Sequence, residues 1–140
     1  MVYVMEYVNW LILQNTAMKT VLWLDDWRDP HENPEWVKMF SPIPFPDKVF
    51  WAKSYHDFMD YIEYIGVPDV ICFDHDLGED KGEYVPTGYD CAVMLVEHLR
   101  EHNLPLPLYG IQSANPVGKD RIINILEDYR NEFDSSKNSN

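Results

Sequence analysis

A chain of 140 residues with 46% hydrophobic residues and five tryptophans is long enough for one packed core and too apolar for a disordered acidic tail. Its 24 acidic residues against 11 basic ones leave a formal charge of −13, with no basic stripe, which excludes duplex nucleic acid as a partner. Residues 1–17 are apolar but interrupted by Glu6 and Asn9. They are too short to span a bilayer and lack the basic flank of a signal peptide, so no membrane partner is expected. They read as an extension of unknown role before a domain over 18–133, with a disordered Ser/Asn-rich tail at 134–140.

Thr20 to Leu24 predicts a buried strand that empties into Asp25-Asp26, Arg28 and Pro30. The next segment carries Pro30, Pro34, Pro42, Pro44 and Pro46, leaving room only for a turn of helix near Glu35 to Phe40. So long a loop suits a lid or a recognition element. Val49 to Ala52 predicts a second strand. A helix follows, capped by Ser54 with Asp57 three residues on, carrying Phe58, Tyr61, Ile62 and Ile65 on one side and stopped by Gly66. Val70 to Phe73 is an unbroken apolar strand ending in Asp74-His75-Asp76-Leu77-Gly78.

Ala92, Leu95, Val96 and Leu99 mark an amphipathic helix from Tyr89 to about His102, with Asp90 a candidate cap. A fourth strand, Leu108 to Ile111, delivers Gln112, Ser113 and Asn115. A last helix from Val117 to about Phe133 places Ile122, Ile123, Leu126 and Tyr129 on one side. Cys72 and Cys91 lie in apolar runs, as buried free thiols of a reducing compartment do, so the cytoplasm is the expected location. Strand–helix alternation with uninterrupted apolar strands predicts an open, parallel α/β sheet with helices on both faces and no strand after the last helix.

In such a sheet ligands bind beyond the carboxyl ends of the strands, so Asp25, Asp26, Asp74 and Asp76 are expected in one acidic pocket. Carboxylates brought together raise one another's pKa or take a cation, and oxygen donors suit Mg²⁺ or Mn²⁺. The alternative is that adjacent acids simply face water. His75 is a candidate acid or base, or a packing residue turned away from its neighbouring acids. Arg28 would hold a phosphate or form a plain salt bridge. Asn115 and Pro116 are a good cap and first residue for a helix, and with Lys119 they form a phosphate seat or an ordinary helix start.

Asp25-Asp26, Asp74 with Leu77, and Ser113-Ala114 resemble the receiver domains of response regulators, which have a flavodoxin-like fold. That resemblance implies that Asp25 and Asp26 bind Mg²⁺, that Asp74 corresponds to the phosphoryl-accepting acid, and that Ser113 contacts the phosphoryl group. The receiver's fifth strand and its lysine have no counterpart here, Gly78 replaces a usual proline, and Asp76 is an added acid. Four blocks resemble more fully a receiver-like family named for predicted cyclic-phosphate processing, found in bacteria and phages. They are Leu24-Asp25-Asp26-x-Arg28-x-Pro30, Phe73-Asp74-His75-Asp76-Leu77-Gly78, Gly88-Tyr89-Asp90 and Ser113-Ala114-Asn115-Pro116-Val117-Gly118. Gln112 stands where that family often places histidine. The implied activity is a metal-dependent phosphoesterase or phosphate-ligand processing protein acting on a cyclic phosphate, nucleotide or RNA end. The alternatives are a non-enzymatic acidic binding protein that presents Trp27, Trp36, Phe40 and Phe45 to a host protein, and a phosphoaspartate regulator.

Overall fold

The computed structural model describes residues 18–78 and 82–138. Residues 1–17, and with them the expected extension, lie outside that range. Four parallel strands form one sheet in the order β2-β1-β3-β4, with β1 at Thr20–Leu24, β2 at Lys48–Ala52, β3 at Val70–Phe73 and β4 at Leu108–Ile111. β1 is central, pairing Leu22 with Phe50 on one side and with Ile71 on the other. The chain leaves β1 for β2 and then returns to β3 on the opposite flank. The switch point of the sheet therefore lies between β1 and β3.

Alternation along the strands divides the core. Leu22, Leu24, Ile71 and Phe73 face helices α2 (Tyr55–Tyr64), α3 (Gly88–His102) and α4 (Pro116–Asn138), which supply Phe58, Leu95 and Leu126 among others. Val21, Trp23, Val70 and Cys72 point the other way, toward Val37 of α1 (Pro34–Phe40) and the half-buried Trp36, Phe40 and Ile43. The expected helices on both faces are thus present. Among the described residues, one face is covered by three helices and the other by α1 with the proline-rich segment.

Local signals account for most of the boundaries. The Ser54 hydroxyl accepts the Asp57 N–H at 3.1 Å, and the Asp57 carboxylate accepts the Lys53 N–H at 3.0 Å. α2 closes at Tyr64, with Gly66 at φ 120°, so Ile65 falls past the last turn and is 63% exposed rather than packed. The cap of α3 is Thr87, not Asp90; Asp90 instead reaches back from the first turn to accept the Thr87 N–H at 2.7 Å. α4 continues through residues 134–138, which the sequence assigns to a disordered tail. Phe133 packs on the core, the Lys137 ammonium lies 5.1 Å from the centre of the Phe133 ring, and Ser136 donates to the Phe133 carbonyl at 2.8 Å. Both cysteines are buried and free. Among the described residues no helix is long and apolar enough to cross a membrane.

Candidate functional site

The hydrogen-bond ladder continues one step beyond the strands and carries the acids with it. Asp25 N–H donates to the Ala52 carbonyl at 3.0 Å, Asp74 N–H to Leu24 at 2.9 Å and Gln112 N–H to Phe73 at 3.0 Å. Asp25 and Asp74 are thereby fixed side by side at the switch point.

Asp25 is fully buried, and its carboxylate is satisfied from its own loop. Oδ1 accepts the backbone N–H groups of Trp27 and Arg28 at 3.2 and 3.0 Å, and Oδ2 accepts Arg28 Nη1 at 3.0 Å. Arg28 Nη1 also lies 4.0 Å from the Asp74 carboxylate. Asp26 is half-buried and accepts the Gly78 N–H at 2.9 Å, which ties the loop after β1 to the loop after β3. Carboxylate oxygens of Asp25, Asp26 and Asp74 all lie within 4.8 Å of one another.

Burial, and next the Asp25 charge, push the Asp74 carboxyl up to about 7, against the opposing pull of Arg28 and the His75 N–H. Three acids beside one guanidinium leave the cluster short of positive charge. Hard oxygen donors in that state fit a divalent cation.

The fourth expected acid is elsewhere. Asp76 lies outside the cluster, its side chain 67% exposed and its Oδ1 2.8 Å from His75 Nδ1. β3 ends at Phe73, so strand alternation does not carry Asp76 to the same side as Asp74. The neighbouring imidazole and Asn115 Nδ2, 3.5 Å away, take its carboxylate instead.

His75 is buried against Gly118, where an added Cβ would stand 2.3 Å from the imidazole Cγ. Its Nε2 is buried without a hydrogen-bond partner. Gly88 is constrained in the same way, because a Cβ there would lie 1.9 Å from the Asp74 carbonyl oxygen. The glycines of two of the sequence blocks are therefore sites of close approach around Asp74-His75.

At the end of β4, Ser113 Oγ accepts the Asn115 N–H at 3.1 Å, and Asn115 Oδ1 accepts the Gly118 N–H at 3.0 Å. Asn115 is the cap of α4, as its sequence context predicts. Lys119 is exposed in the first turn. Gln112 is buried, with Nε2 2.9 Å from the Leu24 carbonyl and 3.4 Å from that of Cys72, and with Oε1 unpartnered. It braces three strand ends from below.

Two supports were not read from the sequence. Trp51 Nε1 donates to the Asp25 carbonyl at 2.8 Å, and Trp23 Nε1 to the Arg28 carbonyl at 3.1 Å. Their signal is a tryptophan inside a strand, since a buried indole N–H needs an acceptor. The aromatic loop also divides. Trp27 and Phe45 are 64% and 76% exposed, whereas Phe40 packs 6.5 Å from Trp23 and Trp36 is half-buried.

A sequence model described as the cyclic-phosphate processing receiver domain matches residues 20–128. Among solved structures, the fold is similar to that of the phosphorylated cyanobacterial phytochrome response regulator RcpA, with 18% identity and a TM-score of 0.52 over 81% of this chain and 76% of that one. It is similar as well to a fusion carrying the yeast Spc42 trimeric coiled coil, with 16% identity and a TM-score of 0.52 over 86% of this chain and 80% of that one. At those identities the likeness is one of fold. No match is found among curated proteins.

Proposed function

The chain belongs to the cyclic-phosphate processing receiver family, and from that premise we propose that it is a divalent-metal-dependent phosphoesterase acting on a cyclic phosphate of a nucleotide or RNA end. The observation that carries this reading is the convergence of Asp25, Asp26 and Asp74 beside Arg28 at the switch point of the sheet.

These three acids would hold Mg²⁺ or Mn²⁺, which when bound supplies Lewis acidity to a phosphoryl oxygen. Arg28 spends one nitrogen on Asp25 and keeps other N–H donors for the phosphate. Asn115 shapes the start of α4 by taking the Gly118 N–H, and the exposed Lys119 ammonium in the first turn would complete the anion seat. The Ser113 hydroxyl accepts from Asn115 and still has its own hydrogen to donate to a phosphoryl oxygen. Asp76 accepts from His75 Nδ1–H, leaving Nε2 as the lone-pair nitrogen that takes or returns a proton. Gln112 has no titrating group and is occupied with strand carbonyls, so His75 carries the proton transfer in this chain.

The test is incubation of the Mn²⁺- or Mg²⁺-loaded protein with 2′,3′-cyclic nucleotides and 3′–5′ cyclic oligonucleotides. Turnover that disappears in Asp74→Asn is expected; no turnover across the panel overturns the reading.

A second reading, a non-catalytic acidic binding protein, is favoured by one observation. An apolar groove of about 430 Å³ lies between α1 and the proline-rich segment, lined by Pro30, Pro34, Val37, Pro44, Phe45 and Val49. A stoichiometric partner whose binding survives alanine at Asp74 and Asp76 but not at Phe45 would support it over catalysis.

A further inference from the structure

Building on the phosphoesterase reading, we infer that the exposed indole of Trp27 is a stacking platform for the substrate's nucleobase, so that the substrate is a nucleoside phosphate rather than a base-free phosphate ester. An exposed tryptophan alone means little, since single apolar residues are common on surfaces. Its place and its restraint are what matter. Trp27 stands between Asp26 of the acid cluster and Arg28, with 64% of its surface open to solvent. Its backbone N–H is held by Asp25 Oδ1 at 3.2 Å. Its ring meets that of Trp36 at 5.9 Å and 72°, an edge contact.

The Arg28 guanidinium joins the ring to the acids. Its Cζ lies 4.8 Å from the Trp27 centroid, while its Nη1 is 3.0 Å from Asp25 and 4.0 Å from Asp74. A phosphate drawn to that guanidinium and to a cation on the acids carries its organic substituent past the indole. A flat, π-faced substituent gains from such a surface whatever its base identity, because every base presents a π-face. A glycerol or other aliphatic substituent gains far less.

The test is isothermal titration of the Mn²⁺-loaded full chain with adenosine 3′-monophosphate and with glycerol phosphate, for the wild type, Trp27→Ala and Trp27→Phe. Folding of the variants is checked by circular dichroism. The wild type is expected to bind the nucleotide roughly tenfold or more tighter than glycerol phosphate, the size of one base stack. Trp27→Ala should erase that preference without altering glycerol phosphate binding, and Trp27→Phe should keep most of it. A short RNA ending in a 3′-phosphate that binds more tightly than the mononucleotide identifies a chain end as the source; equal or weaker binding identifies the free nucleotide. Equal affinity for both small ligands in the wild type, or a Trp27→Ala loss shared equally by both, overturns the stacking role and leaves the phosphate site standing. Binding of neither ligand removes the phosphate reading and this inference together.

Discussion

At the scale of single residues, Asp74 carries the largest electrostatic tension in the site. Its folded-state carboxyl is pushed up to about 7, from 3.8 when unperturbed, chiefly by burial and then by Asp25. The folded state therefore holds this proton more tightly than the unfolded chain does. The stabilisation is complete below about pH 4 and is lost as pH rises toward 7, beyond which the metal-free protein carries an ionised Asp74 beside Asp25. Asp74→Asn removes that penalty while nearly preserving shape. In urea denaturation with a chelator present, the variant should exceed the wild type at pH 8 by on the order of 1–2 kcal/mol after solvent screening. The gap should shrink at pH 5. An equal gap at both pH values would show that Asp74 does not titrate between them.

Gly118 makes a separate residue-scale case. A methyl group there collides with the His75 ring, and the ring is buried, so it has little room to yield. Gly118→Ala should cost about 1–3 kcal/mol, as overpacking of a closed site does. It should also impair turnover while leaving Mn²⁺ binding at the acid trio largely intact. Calorimetric titration of the metal alongside the activity assay separates the two effects.

Among the elements, the start of α4 does two tasks through one side chain. Asn115 Oδ1 caps the helix at the Gly118 N–H, and its Nδ2 approaches Asp76. Asn115→Ala should cost about 1 kcal/mol of stability. Asn115→Asp restores a capping oxygen but sets a second negative charge near Asp76. It should recover the thermal midpoint better than it recovers phosphate binding, measured by differential scanning calorimetry and by titration with inorganic phosphate.

The same element shows why some of the fold was legible in sequence and some was not. Asn115-Pro116 announces its own helix start, because capping is a local contact between residues three apart. The apolar runs of β1 and β3 likewise announce themselves by ending abruptly in acids. The far end of α4 differs from its sequence reading because Ser135, Ser136 and Asn138 read as a tail by composition, whereas Phe133 anchored on the core is a tertiary fact. Ile65 failed in the opposite way: it keeps the helical period but falls after the helix has closed. The grouping of Asp76 with the other acids rests on its place beyond the end of a strand, but past Phe73 the loop has turned its carboxylate to His75 and Asn115. The crowding at Gly88 and Gly118 depends on how the connections after β3 and β4 close on Asp74-His75, which no short local pattern encodes.

For the whole molecule, the charge of −13 and the acid trio at the end of a four-stranded sheet pose one problem at two ranges. Diffuse repulsion over the surface is relieved by any salt, since ions screen exposed charges within about 10 Å at 0.1 M. The trio is buried or half-buried, so screening reaches it poorly and a site-bound cation would relieve it instead. The two contributions should separate in a thermal-shift titration. Monovalent chloride should raise the midpoint gradually without saturating. Mg²⁺ or Mn²⁺ at matched ionic strength should raise it further, by a stabilisation that grows with the logarithm of free metal and reaches about 2.7 kcal/mol when free metal exceeds its dissociation constant a hundredfold. Asp26→Asn should abolish the divalent-specific gain and keep the monovalent response, because it removes one ligand oxygen without exposing the core. If the divalent and monovalent curves coincide at equal ionic strength, the acids at the switch point hold no cation, and the metal-dependent reading of the site fails with them.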